Sequence, residues 1–269
     1  MLRTHDQSFA SRVRSICGDV LSYGPSDIVF APYGERWRLA KKLATTHLLS
    51  ANKVQSYRAA REEENMFAAG TDTVYLVLEF AMAELMRHQE AMAKLQQEVR
   101  SSISEGQNTI NESDLIRMTY LKAVIKETLR LHPPSPLLVP HCCLEDCDVE
   151  SFRVPAGTTV LVIVWAIGRD PKVWDAAEEF MPERFIQNEE IKGVDFRGMD
   201  FQLLPFGAGR RMCPGMNFGL ASIEIMLANL VYHFDWELPK GVDKIDMTEA
   251  FGLTVGRKEK LLLNPVRKG

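Results

Sequence analysis

At 269 residues, with 46% hydrophobic and 25% charged side chains, the chain can bury a sizeable core and reads as one or two globular domains, not as a disordered segment. Its 32 Lys+Arg against 36 Asp+Glu give a net charge of −4, which excludes the basic footprint of a nucleic-acid binder. Five cysteines (Cys17, Cys142, Cys143, Cys147 and Cys213) are odd in number and too few for a disulfide scaffold, and they point to a reducing compartment.

The opening stretch, MLRTHDQSFASRVRS, is mixed and polar, with no apolar signal region. RWRLAKKLATTHLL (Arg36 to Leu49) predicts a short basic amphipathic helix. In YRAAREEENMFAAGTDT a charged helix end, Arg61 to Glu64, runs directly into an apolar segment at Met66; local composition alone reads this as a solvated charge cluster on a continuous helix. TVYLVLEFAMAELMRH sets Leu78, Met82 and Leu85 on one helical face, and EAMAKLQQEVRSSI does the same with Ala91, Leu95 and Val99. A further helix begins near NESD, with Asn111 or Ser113 as its cap, carries Leu121, Val124 and Thr128 on one face, and stops at Pro133-Pro134. FRVPAGTTVLVIVWAIG then predicts a hairpin turning at Pro155-Ala156-Gly157. The most apolar stretch, Asn217 to Trp236, is interrupted by Ser222, Glu224, Asn229 and His233, so it reads as a buried helix and not as a membrane span.

PFGAGRRMCPG (Pro205 to Gly215) surrounds Cys213 with three glycines, two prolines and two arginines. A lone cysteine is by default inert and buried, and next a nucleophile. Three features add a third reading. Gly207, Gly209 and Gly215 allow tight turns and close approach to something flat. Arg211 offers a forked donor to a carboxylate. The helix that follows points its N-terminus at the sulfur and favours thiolate. One soft sulfur on an open loop suits haem iron better than zinc. A dinucleotide-binding loop fits poorly, because GAGRRM lacks the third glycine and no clear strand precedes it. Cys142, Cys143 and Cys147 lack the C-x₂-C spacing of a zinc site and are assigned to packing.

At these residues the chain resembles the cytochrome P-450 superfamily, in wording closest to plant microsomal members. FGAGRRMCPG fits the haem loop F-x-x-G-x-R-x-C-x-G at Phe206, Gly209, Arg211, Cys213 and Gly215. ETLR supplies Glu127 and Arg130, PERF supplies Arg184, AAGTDT supplies the pair Asp72 and Thr73, and WRLAKK is similar to the helix that reaches the haem propionates. The resemblance implies a mainly α fold with small β-sheets and a haem b held by the Cys213 thiolate. It implies Trp37, Arg38, Lys41, His141, Phe206, Arg211 and Gly215 around that haem, with Arg38 a better candidate than Lys41. His141 stands where relatives often carry an arginine. Ala69, Leu137, Leu138, Val139 and Phe251 would line the substrate pocket, and Glu127, Arg130 and Arg184 would form a buried network behind the haem.

The activity implied is monooxygenation: one atom of O2 enters a small apolar substrate, a plant secondary metabolite, with Asp72 and Thr73 delivering protons. Electrons would come from NADPH through a flavoprotein reductase docking on Arg36, Arg38, Lys41, Lys42 and Arg210. Relatives that rearrange peroxides as isomerases or lyases lose the alcohol that Thr73 retains. Against the resemblance, the junction of Asn65 with Met66 lacks a block of helices, and the start falls after the membrane anchor, hinge and first strands of relatives. The expectation is therefore an incomplete P-450 fold in two parts of one domain, residues 1–65 and 66–269. Full-length relatives would sit at the endoplasmic reticulum membrane, and this chain would be cytoplasmic or peripheral. The same reasoning expects impaired activity, or a non-catalytic haem-binding or misfolded remnant. It also expects the Ala91, Leu95, Val99 face and the Asn217 to Trp236 helix to meet water.

Overall fold

The computed structural model describes residues 1–14, 28–50, 72–103, 107–252 and 254–267. Ala69 and the junction of Asn65 with Met66 lie outside the described residues. Seven α-helices are described: α1 (Glu35–Leu43), α2 (Asp72–Arg87), α3 (Gln89–Ser101), α4 (Thr119–Leu131), the short α5 (Val164–Ile167) and α6 (Arg184–Gln187), and α7 (Met216–His233). Among the described residues, four small antiparallel sheets flank them. Among the described residues no helix is long and apolar enough to cross a membrane.

The core is α2, α3, α4 and α7 packed on one another. The one-face stripe expected of α2 understates it. Beside Leu78, Met82 and Leu85, the side chains of Val74, Leu76, Val77, Phe80, Ala81 and Met86 are buried, so from Leu76 to Met86 this helix is covered on all sides, while Thr73 and Tyr75 in its first turn stay exposed. Ala91, Leu95 and Val99 of α3 are buried as well, in one cluster with Ile223, Ile225, Leu227, Ala228 and Val231 of α7. This overturns the expectation that these two faces meet water: each is the other's cover.

α4 begins without a cap from its own chain neighbours, contrary to the expected Asn111 or Ser113. Glu98 of α3 does the work across the interface. Its carboxylate accepts from the Tyr120 and Leu121 N–H groups at 2.8 and 2.9 Å and from Thr119 Oγ1 at 3.1 Å. Two otherwise orphaned helix donors are thereby satisfied by a charge of the favoured sign.

At the other end of α4, Glu127 and Arg130 are fully buried and paired through two hydrogen bonds of 2.8 and 2.7 Å. Arg184, buried too, donates to Glu127 Oε1 at 3.0 Å, and the Met181 N–H joins at 2.8 Å. The remaining donors of both arginines go to the carbonyls of Gly168, Asp175, Ala176, Ala177 and Glu179. Removing the carboxylate would strand two buried cations, which costs about 3–5 kcal/mol.

The predicted hairpin at Pro155-Ala156-Gly157 is not one hairpin. β3 (Cys147–Val149) pairs with β4 (Phe152–Val154), whereas β5 (Thr159–Val160) pairs with β2 (His141–Cys142), which in turn pairs with β1 (Ser11–Arg12). The chain turns where expected, with Gly157 at φ +82°, but the strands on either side belong to different sheets. Alternation of side chains identifies a strand, not its partner. In the sheet of β1, β2 and β5, Arg12 lies directly opposite His141.

Candidate functional site

Between the sheet of β1, β2 and β5, α1, the start of α2 and the Cys213 loop lies a cavity of ≈ 690 Å³. The loop that carries Cys213 is held by main-chain bonds: Cys213 N–H donates to Phe206 O at 2.9 Å, and a short 3₁₀ turn spans Gly209–Arg211. Gly207 and Gly209 take φ of +71° and +68°. At Gly209 a Cβ would fall 2.3 Å from Asp6 Oδ1, so glycine is required there both by conformation and by space.

Cys213 is surrounded by protein on most sides, yet its sulfur opens on the cavity. Burial pushes its thiol pKa up, against the pull of the Gly215 and Met216 N–H groups ahead of α7 and of the Lys41 charge. The helix N-terminus thus acts in the expected direction, but burial outweighs it. A metal is what would remove the proton outright.

Three cations gather on one wall. Arg211 stacks its guanidinium 3.9 Å above the Trp37 ring and donates to the carbonyls of Ala10, Ile28 and Ala31. Lys41, one helical turn after Trp37, stands with Nζ 5.2 Å from the same ring and donates to Arg210 O. Arg12 donates to Val139 O at 2.6 Å and to Pro140 O at 3.3 Å. Burial and then the neighbouring Arg211 charge lower Arg12 to about 10, and the same two causes lead in lowering Lys41. At about 10, Arg12 remains a cation at neutral pH, on a wall where like charges repel.

Several predicted site residues reach this cavity: Trp37, Lys41, Thr73, Leu138, Val139, His141, Phe206, Arg211, Cys213 and Gly215. Asp72 is the first residue of α2. Others do not reach it. Arg38 is exposed on the outer face of α1, because one residue's step turns it about 100° from Trp37, whereas Lys41 at i+4 shares the Trp37 face; the preference for Arg38 over Lys41 is corrected. Leu137 is 44% exposed at the tip of a turn closed by Leu138 N–H donating to Ser135 O. Phe251 is 84% exposed just beyond the short strand Glu249–Ala250. Neither lines the cavity.

Trp37 and His141 are there in altered roles. The Trp37 N–H donates to Ile28 O at 2.9 Å, so the indole carries the cations and not a ligand. His141 Nδ1 lies 2.8 Å from Phe9 O, which can only accept, so this nitrogen holds the proton. Burial, then the Arg12 charge, lowers its pKa to about 4. The neutral ring therefore offers a lone pair at Nε2, not a charge. Arg12, opposite it in the sheet, supplies the cation there, and sequence reasoning missed it. The cross-strand pairing that brings residue 12 to residue 141 has no local signal. Val77, Leu129 and Phe218 of the apolar wall were missed as well; their helical faces read as core.

Residues 61–264 match the family described as Cytochrome P450. The chain belongs to the cytochrome P450 family. It resembles indole-2-monooxygenase of Zea mays, 36% identical over 411 residues with 98% of this chain and 76% of the relative covered. It also resembles 5-epiaristolochene 1,3-dihydroxylase of Nicotiana tabacum, 53% identical over 202 residues with 74% and 39% covered. Among solved structures, a zebra fish cytochrome P450 with progesterone superposes with a TM-score of 0.82 at 19% identity, over 99% of this chain and 90% of that one. The fold is thus that of a cytochrome P450, mostly helical with small sheets. An alignment over 411 positions exceeds the 269 residues present by 142, so at least that many positions face no residue of this P450.

The family implies haem held by a thiolate, and the residues of this cytochrome P450 fit that group. The Cys213 sulfur opens on a largely apolar cavity. A Cβ on Gly215 would stand 3.9 Å from that sulfur, in space that glycine leaves clear. The cationic wall of Arg12, Lys41 and Arg211 suits the two carboxylates of a porphyrin.

Proposed function

We propose that this cytochrome P450 is a haem-thiolate monooxygenase acting on a small apolar substrate, a plant secondary metabolite, with electrons delivered from NADPH by a flavoprotein reductase. The observation that carries the reading is the Cys213 sulfur opening on a largely apolar cavity that Arg12, Lys41 and Arg211 also line. Haem, when bound, supplies an iron whose thiolate ligand favours O–O cleavage. Cys213 would be its ligand. Arg12 and Lys41 would hold the porphyrin carboxylates, with Arg211 and Trp37 bracing them. Val77, Leu129, Leu138 and Val139 would exclude water and bind the apolar substrate. Thr73, at the start of α2, would hold and pass a proton toward the cavity, with Asp72 beside it in sequence as the source. On the outer face of α1, exposed Arg36, Arg38 and Lys42 offer charge to an acidic reductase. Lys41 turns inward and Arg210 is paired with Asp6 at 2.6 Å, so neither belongs to that patch.

The test is the absorption spectrum of the reduced, CO-bound chain after reconstitution with haemin. A red-shifted thiolate band that Cys213→Ala abolishes is expected; a spectrum of histidine-ligated haem would sink the assignment. We further propose that turnover is impaired. The alignment with the maize indole-2-monooxygenase leaves at least 142 positions with no residue of this chain, so less protein is there to keep water from the reacting oxygen. With reductase and NADPH, more than half of the electrons are expected as hydrogen peroxide instead of product, measured by parallel NADPH, peroxide and product assays. Coupling above one half would overturn this.

A further inference from the structure

Cys143 and Cys147 lie outside the haem cavity, and packing alone does not explain them. Their sulfurs stand 3.8 Å apart. The backbone around them is fixed on both flanks. Cys143 N–H donates to Thr158 O at 2.9 Å and Cys143 O accepts from Gly157 N–H at 2.7 Å, while Cys147 pairs with Val154 in the hairpin of β3 and β4. The turn between them is tied to the N-terminal segment, with Leu144 N–H donating to Ser8 O at 2.6 Å and Ser8 Oγ to Glu145 Oε1 at 3.0 Å. Cys143 is buried and Cys147 is half-buried.

Two thiols so placed suit either a metal or a disulfide. Among the described residues no group of three His, Cys, Asp or Glu side chains is arranged to hold a metal ion. Cys142 directs its sulfur toward Cys143 O at 3.7 Å, and as the neighbouring residue at the end of β2 it does not complete a third sulfur. A disulfide needs about 2.05 Å between sulfurs, so the pair must close by roughly 1.8 Å, within reach of a side-chain rotation at the more open Cys147. Glu145, Asp146, Asp148 and Glu150 are exposed around the turn and disfavour anionic oxidants; a neutral one is not repelled.

We propose that Cys143 and Cys147 are a reversible modification site, converted by hydrogen peroxide to an intramolecular disulfide. Cys147 is the attacked residue and Cys143 the resolving one. The Cys147 thiolate attacks one peroxide oxygen, the O–O bond breaks, and the other oxygen leaves as water after taking a proton, which gives the sulfenic acid. The Cys143 sulfur then attacks the Cys147 sulfur, the S–O bond breaks, and a second water leaves with the Cys143 proton. Two thiols lose two electrons and one peroxide gains them. Burial, then the hydrogen bond with Cys143 and the nearby acids, holds the Cys147 thiol above its usual pKa, so the first step quickens as pH rises above neutrality. The site roots the strand β2 that carries His141, two residues from Cys143.

Two measurements on the purified full chain test the proposal. In the first, the chain is equilibrated in mixed oxidised and reduced dithiothreitol, native and in urea, then alkylated and mapped by peptide mass spectrometry. The native fold is expected to shift the Cys143–Cys147 midpoint at least tenfold toward the disulfide; an equal or opposite midpoint would overturn the proposal. In the second, hydrogen peroxide is added to native wild-type and Cys143→Ser chains. The wild type should lose two thiols in a Cys143–Cys147 crosslink that dithiothreitol reverses, and the variant should accumulate sulfenic acid at Cys147, trapped by dimedone. Crosslinking of Cys147 to Cys142, or a Cys147 that peroxide leaves unmodified, would overturn it as well.

Discussion

His141 and Arg12 face each other across two short strands, and burial treats them differently. The guanidinium stays charged despite a lowered pKa, while the imidazole at about 4 is neutral across the physiological range. An unfolded histidine titrates near 6.5. Between pH 6.5 and 4 the unfolded chain therefore binds a proton that the folded chain refuses, and stability rises with pH over that window. The contribution is complete above about 6.5 and is lost as pH falls toward 4; the two pKa values differ by an amount equivalent to about 3 kcal/mol. Thermal unfolding between pH 7 and 5 should show a fall in Tm that His141→Gln makes shallower. Equal slopes in both chains would mean that His141 takes up its proton alike in the folded and unfolded chains, and that burial does not hold it neutral. At this scale the Cys213 loop was legible because its residues are adjacent in sequence and each has a local reason. Arg12 was not, because its place depends on a strand pairing 129 residues away.

Helices were legible where one face alone is apolar, as in α3, and their existence was legible even where burial goes all round, as in α2. What sequence could not convey is who covers whom. Strand partners fell into that class at Gly157, and so did the start of α4. A capping residue was sought just before that helix, where local capping places it; the structure finds it on α3, 21 residues upstream of Thr119. Glu98 thus joins two helices of the core as well as ending the ladder of one. Glu98→Ala should cost about 1–2 kcal/mol, the range for losing a cap, with Glu98→Gln recovering part because the amide oxygen still accepts. Urea unfolding of the three chains checks this. If the alanine variant unfolds at the wild-type midpoint, the carboxylate contributes nothing beyond what water supplies.

At the scale of the whole molecule, the helical core and the site draw on different parts of the chain. α2, α3, α4 and α7 close on each other within residues 72–233. The cationic wall needs the first 50 residues: Ala10 and Ala31 carbonyls hold Arg211, Asp6 holds Arg210, Phe9 O orients His141, and Trp37, Lys41 and Arg12 come from there directly. The division at residues 65 and 66 is proposed on this ground as one between a core and the segment that completes its site. Residues 66–269 expressed alone should then keep most of the far-UV helical signal of the full chain and unfold cooperatively, because the buried apolar faces survive. Haem is another matter, since two of the three cations and the support of the third are gone. Electrostatic holding of both carboxylates would be replaced by water, and Arg211 would lose three backbone acceptors. Occupancy after reconstitution with haemin is expected to fall at least tenfold relative to the full chain, read from the absorbance of the bound haem per mole of protein. Equal occupancy in the two chains would show that the thiolate and the apolar cavity suffice, and that the cations serve only the surface.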